Sequence, residues 1–520
     1  MTDKLADLYE KYGKLAEAKD VSQLSDHYVS CIEGTKCGDK EKQLAAQIIS
    51  KFFKHFPSLQ DKALNAVLDL CEDDNSQIRI CAMKQLPIIS KDSKEHLSKI
   101  ADILAQLLQL EDQDYAVACN CLVQVYKQDP LLVTKIIFNS MHSTTDYNLR
   151  EKCISFLFQK LIKIPEKMSQ ELEEVLIEES KKSILESSPT EFSVLMSYLK
   201  TSKCGKTVQG TYEVVNLVAD KAELDKDFDP LDEESNDTAR VILCVESVLP
   251  FFNASVHSDK FLIYYCDQIL PQLNNIIKVN DGEAIKIRLL RQLAELSFHC
   301  GKLENPSLHV VQIFDKLKDY MPPPPAEIVE MPNLDFTSVE CLLYSFHRLA
   351  RQCPDFLTAD PSVLKDFRSR LTYFSRGVQG CKKSLEAVIG SKVPLANENA
   401  VKAKLAPSVL NNINTLIKDL FYTPPVYKCN VTLSFKGEVT EMKATVEKSV
   451  TAQKRHTPIT FDASNGNTKH PRNKTSENIK LYTPPSGKFS NNFQSYDRSG
   501  GRPRGGNRGR GGRGRGTWRK

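Results

Sequence analysis

Four stretches of this sequence repeat one design: "LAAQIISKFFKHFP" from Leu44, "IRICAMKQLPIIS" from Ile78, "YAVACNCLVQVYKQDP" from Tyr115 and "LREKCISFLFQKLIKIP" from Leu149. Their starts lie 34, 37 and 34 residues apart. Each places apolar or small residues at steps of three and four, the stripe of a helix with one buried face. Second helical patterns fill the gaps: "LQDKALNAVLDLC", "EHLSKIADILAQLLQL" and "LLVTKIIFNSM". A helix pair cannot bury its apolar face alone, so pairs recurring at this period stack into an α-solenoid. In "EDDNSQIRICAMKQL" acids precede an Ile-Arg pair with a small residue beyond, which resembles the second helix of a HEAT repeat.

The pattern loosens after about residue 205. "DKAELDKDFDPLDEESNDTAR", residues 220–240, is acidic, contains Pro230 and reads as a loop. Helical patterns return from "VILCVESVLPFF" to "SLHVVQIFDKLKDY". "MPPPPAEIVEMP" then interrupts them, because proline lacks the amide donor and clashes inside a helix. "VECLLYSFHRLA", "VLKDFRSRLTYFSRGVQGCKKSLEAVI" and "LNNINTLIKDLF" complete the helical region. Only "NVTLSF", 430–435, alternates like a strand, and one strand makes no sheet. The expectation is an all-α solenoid: HEAT-like repeats over 1–205, further helical repeats over 206–437, and a polar, disordered tail over 438–520.

Charge divides the chain. From Lys436 onward there are 19 Lys/Arg and 6 Asp/Glu, out of 70 and 66 overall; the 51 and 60 that remain give the body a balance of −9. The last residues, "GGRPRGGNRGRGGRGRGTWRK", interleave Arg502, Arg504, Arg508, Arg510, Arg513 and Arg515 with glycine, beside the only tryptophan, Trp518. Glycine at that density prevents packing, and arginine offers permanent charge and a planar face for phosphates and bases. This is an Arg-Gly box suited to RNA contact of low sequence specificity, since phosphate attraction carries no base information. Lys454 and Arg455, then Lys469, Arg472 and Lys474, have the two-cluster layout of a bipartite nuclear import signal.

Other candidates belong to the body. "SQELEEVLIEES" with Glu186, Glu191, Asp220 and Glu223 forms an acidic middle third that could attract a basic protein. Leu104, Leu107 and Leu108 make an LxxLL pattern, and in a solenoid such leucines face the neighbouring helix. Leu364, Leu371, Val378 and Leu385 fall seven apart. Gly377 and Gly380 interrupt that seam, favouring a helix packed within its own domain over a dimerising zipper.

P-loop, GxSxG, HExxH and paired CxxC patterns are absent, and Cys119 with Cys121 is a lone CxC without nearby histidine. No catalytic residue, cofactor or metal is therefore expected. His347 reads as a packed or surface helix residue. Fifteen scattered cysteines and a charged start, "MTDKLADLYEKYGK", fit reduced thiols and no secretory signal. No segment reaches the roughly 18 apolar residues of a membrane span.

Several long words, "EKQLAAQIISKFFKHFP", "LDLCEDD", "VECLLYSFHRLARQCPDFLTA", "NNINTLIKDLF" followed by "PPVYK", and "PPSGKFS", resemble the apoptosis inhibitor 5 proteins, also called anti-apoptosis clone 11, from about Tyr9 to about Ser490. The resemblance implies a HEAT-like first half, an armadillo-like second half and a nuclear protein that restrains apoptosis. It also implies protein partners such as Acinus and a nuclear fibroblast growth factor, and links to mRNA export. The LxxLL and heptad positions coincide with labels used in that family. The Arg-Gly ending departs from what the resemblance implies for vertebrate members. The function expected is a nuclear, monomeric scaffold that negatively regulates apoptosis, the cytoplasm remaining open as a second location. The alternative is an RNA-associated adaptor in mRNA processing or export.

Overall fold

Each repeated stretch is a helix, and stretches of the same kind stack on one another. The computed structural model describes residues 3–164, 168–232, 236–325, 334–390 and 397–436. The first helices are α1 (Asp3–Glu17), α2 (Ser25–Glu33), α3 (Asp39–Phe52), α4 (Gln60–Leu70), α5 (Ser76–Asp92), α6 (Leu97–Gln106) and α7 (Asp112–Tyr126). Then come α8 (Pro130–Ser143), α9 (Tyr147–Ser155), α10 (Gln170–Ser183), α11 (Pro189–Thr201), α12 (Val208–Lys221) and α13 (Asp237–Val248). The last are α14 (Asp259–Tyr264), α15 (Leu273–Ile276), α16 (Gly282–Phe298), α17 (Pro306–Tyr320), α18 (Phe336–Leu349), α19 (Pro361–Gly390) and α20 (Asn397–Leu420).

Local chemistry sets the helix starts. Asn75, Asp129, Ser169, Ser188, Thr207 and Asp335 each accept a backbone N–H from the first turn that follows. Such a cap contributes about 1 kcal/mol. Pro130, Pro189 and Pro306 open their helices, where a missing N–H costs nothing. Two helices, α9 and α14, run on into π-helical turns at Phe156–Leu161 and Tyr265–Ile269.

Packing makes an α-solenoid of two layers. One layer passes α3 to α5 to α7, continues through α9, α11 and α13, and ends α16 to α18 to α20. The other contains α6, α8 and α10, with α17 and α19 near its end. Polar rungs join successive repeats at about the sequence period. Ser50 Oγ donates to Gln85 Oε1 at 2.8 Å, and Gln128 Nε2 to Ser90 Oγ at 2.8 Å. Arg79 pairs with Asp114 while its Nη1 caps the carbonyls of Asp73 and Asp74 at 2.7 and 3.0 Å. The Ile-Arg pair of the sequence thus ties the start of α5 to the start of α7.

Two hydrophobic cores run along the stack. One spans Leu8 to Leu195, the other Ile177 to Leu433, and they interleave in α10 and α11, where Tyr198 packs against both. Helix α18 lies deepest, with Ser338 through His347 all buried, because α16, α17 and α20 surround it. No strand forms among the described residues. Residues 430–433 are irregular and Ser434 begins a helical turn, so the alternation of "NVTLSF" is not a sheet edge. No helix among the described residues is long and apolar enough to cross a membrane.

Candidate functional site

The acidic residues of the middle third have unequal surroundings. Glu186, on the turn between α10 and α11, and Asp220, in the last turn of α12, are exposed. Lys221, next to Asp220 in sequence, donates its ammonium to the carbonyls of Leu185 and Ser187, on either side of Glu186, at 3.2 and 2.9 Å. Burial of that ammonium holds its pKa below the usual lysine value. Glu223, in a left-handed backbone conformation (φ 55°), pairs with Lys226 at 3.0 Å and Arg240 at 3.1 Å. Glu191 corrects the sequence reading. It is 2% exposed, closes a capping box with Ser188 and lies 3.5 Å from Arg150 Nε. A carboxylate occupied by its own helix start and by α9 is not part of a surface that a partner could touch. Around the exposed acids, Lys181, Lys182 and Lys203 pair with Glu213, Glu179 and Glu173. The face is therefore a lattice of mixed charge carrying a few outward acids.

Leu104, Leu107 and Leu108 are buried in the first core, so this LxxLL segment presents no leucine to an outside groove. Along the heptad run, Leu371 and Val378 are fully buried and Leu364 is half-buried against the second core. The intervening Phe367 and Phe374 are fully buried too, Phe367 with its ring centroid 4.8 Å from that of Phe314 and Phe374 5.7 Å from Phe336. The described part of this seam belongs to the solenoid's own core. The side chain of Leu385 lies outside the described residues.

The densest polar constellation lies where the chain after α20 straps back over α18. Glu340, 0% exposed, accepts from Asn412 Nδ2 at 2.7 Å, Ser434 N at 3.0 Å and Ser434 Oγ at 2.6 Å. Asn412 Nδ2 also donates to the Thr432 carbonyl at 2.7 Å. Two turns along α18, His347 Nε2 is 3.2 Å from Asp419 Oδ2 and 3.3 Å from Cys429 Sγ. Asp419 Oδ2 accepts the amides of Lys428 and Cys429 at 2.9 and 2.6 Å. A lone Glu inside the apolar word "VECLLYSF" was the available signal, since a buried carboxylate requires donors. Nothing local pointed to Asp419 and Cys429.

His347, Asp419 and Cys429 could be a metal trio or a nucleophile, base and orienting acid, and their donors lie within 4.8 Å of one another. Coordination fits poorly. The lone pairs of Asp419 Oδ2 already receive two backbone amides, and His347 Nδ1 lacks the outer partner that metal-bound imidazoles use. Catalysis fits no better. Burial pushes the His347 pKa down to about 4, and burial with the Asp419 charge pushes the Cys429 thiol up to about 12. A neutral thiol beside a very weak base is a poor nucleophile. The trio fastens the strap.

Arg502, Arg504, Arg508, Arg510, Arg513 and Arg515 of the Arg-Gly box lie outside the described residues. So do Lys454, Arg455, Lys469, Arg472 and Lys474 of the import pattern.

The family model for Apoptosis inhibitory protein 5 (API5) matches residues 5–519. That range takes in most of the Arg-Gly tail. The chain is similar to apoptosis inhibitor 5 of Homo sapiens, 41% identical over 532 residues, covering 98% of this chain and 97% of the relative. Apoptosis inhibitor 5 of Gallus gallus is 41% identical over 530 residues, 98% of each chain. The apoptosis inhibitor 5 homolog of Drosophila melanogaster is 36% identical over 518 residues, 95% of this chain and 94% of the relative. A crystal structure of Kap121p bound to Pho4p aligns at a TM-score of 0.28 and 11% identity over 87% of this chain and 52% of that one, too distant to carry any argument. A near-full-length family match and relatives of this identity place the chain in one lineage: it belongs to the apoptosis inhibitory protein 5 family.

Proposed function

We propose that this chain is a nuclear, non-enzymatic scaffold that restrains apoptosis by holding protein partners on its stacked helices, with its Arg-Gly tail adding RNA contact. The carrying observation is the two-layered stack. Stacked repeats create extended surfaces suited to binding. The relatives bear the name apoptosis inhibitor, which supports the anti-apoptotic part. The partners that the family resemblance implied are an Acinus-like nuclear protein and a basic growth factor, and the second matches an acidic body in charge. Lys454, Arg455, Lys469, Arg472 and Lys474 supply the import address.

Proximity labelling in nuclei tests the scaffold, comparing the intact chain with residues 1–437 carrying an appended import signal. Loss of every labelled protein in the shorter form would remove the helical stack as the binding surface. A second reading, an RNA-associated adaptor in mRNA processing or export, is favoured by the Arg-Gly string alone. Crosslinking to RNA with and without residues 500–520 separates them. Unchanged crosslinking after truncation removes the tail from the account, and so does a flat response to salt.

A further inference from the structure

A groove of about 700 Å³ runs between α17, the turn after α18 and the first turn of α19. One wall is a single face of α17, where Ser307, Val311, Phe314, Asp315 and Lys318 follow helical spacing. The opposite wall is formed by residues 352–356, Ala359, Asp360 and Val363. From Ser307 to Lys318 the helical rise gives the groove a length of roughly 17 Å, about three turns of a docked helix.

Its floor is apolar and held in place. Phe314 and Phe356 meet edge to face at 5.4 Å between centroids, and both belong to a cluster with Phe346 and Phe367. Gln352 ties the far wall to the end of the α16 segment, donating to the Gly301 carbonyl at 2.8 Å and accepting from Leu303 N at 2.9 Å. On the α17 wall, Val311 is 40% exposed, a large apolar side chain open to the groove. A rigid apolar floor lowers the ordering cost of binding.

The rim is acidic. Asp315, Asp355 and Asp360 face the groove against one cation, Lys318. Lys318 is already drawn to Asp315 at 2.9 Å and over the Phe314 ring at 5.0 Å. Asp360 offsets the positive start of α19, accepting from Ser362 N at 2.8 Å, and the Ser362 hydroxyl together with that amide keeps its carboxyl below the usual range. Arg370, beyond the groove's end, is held by Asp366 at 2.8 Å and the Met321 carbonyl at 2.9 Å.

We propose that this groove docks a cationic amphipathic helix of another protein, its apolar side chains on the Val311–Phe356 floor and its lysines or arginines on Asp315, Asp355 and Asp360. The idea rests on the scaffold reading above and names one surface and one partner chemistry for it. Charge complementarity selects this occupant. An acidic or neutral segment would leave the rim carboxylates facing like charge or no charge.

Fluorescence anisotropy on the full chain tests it with three model peptides of about twelve residues. One carries Leu and Phe at i, i+3, i+4 and i+7 among lysines, one has glutamates for the lysines, and one scrambles the first. The amphipathic lysine peptide should bind about tenfold more tightly than the others and weaken with salt. Asp315→Lys with Asp355→Lys, both on exposed positions, should lower its affinity about tenfold at an unchanged melting temperature. A photocrosslinking residue at position 311 should capture the peptide. Equal binding of the scrambled peptide, indifference to the double substitution, or concentration-dependent pairing of the chain through position 311 would each overturn the proposal. Repeating the nuclear labelling with the double variant separates the two ideas. Partners retained by a chain that fails every peptide test would leave the scaffold standing and the groove refuted.

Discussion

Glu340 on α18 accepts the Ser434 hydroxyl at 2.6 Å, joining residues 94 positions apart in sequence. The same carboxylate holds Ser434 N and Asn412 Nδ2, so one buried side chain sets the path of the strap across α18 and α20. Glu340→Ala removes the acceptor from three buried donors, of which Asn412 Nδ2 keeps the Thr432 carbonyl. The expected cost is about 2–4 kcal/mol, since each stranded buried donor is worth about 1–3. Glu340→Gln keeps one acceptor oxygen and should cost less. Guanidinium unfolding of both variants measures the difference. Hydrogen exchange should report faster opening of residues 426–436, and unchanged protection there would count against the clasp.

His347 makes the second fastening sensitive to acid. Burial holds its pKa at about 4, below the ordinary 6.5, although Asp419 pulls the other way. The folded state therefore resists protonation that the unfolded chain accepts. This contribution to stability is whole above pH 6.5 and is lost as pH falls from there through about 4, at most roughly 3 kcal/mol. Asp419 acts in the same direction at lower pH. Burial raises its pKa, but hydrogen bonds from Cys429 and His347 lower it further, to a net value below normal. Unfolding free energies measured between pH 7 and pH 4 should show the fall, and His347→Gln should flatten it. An equal slope in the variant would remove His347 as its source.

Arg150 and Glu191 test the rungs between repeats. Arg150 Nε lies 3.5 Å from Glu191 Oε1, and both are nearly buried, with Arg150 Nη2 unpartnered. Glu191→Ala strands a buried guanidinium and opens the capping box, so about 3 kcal/mol of destabilisation is expected. Arg150→Met with Glu191→Ala removes the stranded charge and should cost less than Glu191→Ala alone. A double-mutant cycle by denaturant titration checks the sign, and additive costs would mean the pair is not coupled.

Much of the architecture was legible because the apolar period recurs in the sequence itself, as in α3, α5, α7 and α9. The strap was not legible, for a physical reason. "NVTLSF" truly alternates: Val431, Leu433 and Phe435 turn toward the second core, while Thr432 and Ser434 meet Asn412 and Glu340. Period two arises wherever an extended chain lies with one side on a core, whether strands or helices supply its polar partners. Here the partners are helical and distant in sequence, so no local pattern could name them. Glu191 was misread similarly, because an acid two residues after proline looks like surface until its helix start and Arg150 are known. The groove on α17 is not legible in sequence, because Val311 looks there like any core position.

Two glycines make opposite predictions from the same substitution. Gly380 lies within α19, and a Cβ there would meet nothing within 4 Å. Gly380→Ala should stabilise by up to about 1 kcal/mol, by restricting the unfolded chain and improving helix propensity. Gly282 opens α16 after Asp281, which itself adopts the left-handed conformation at φ 57°. A Cβ on Gly282 would stand 2.2 Å from the Ile276 carbonyl oxygen and 2.7 Å from the Ile277 carbonyl, backbone that cannot turn aside like a side chain. Gly282→Ala should destabilise by about 1–3 kcal/mol as the α15–α16 connection shifts. Thermal unfolding of the two variants beside the parent should move the midpoint in opposite directions. If both fell, residues 377–380 of α19 would be packed against a neighbour, and the heptad seam would continue beyond Val378.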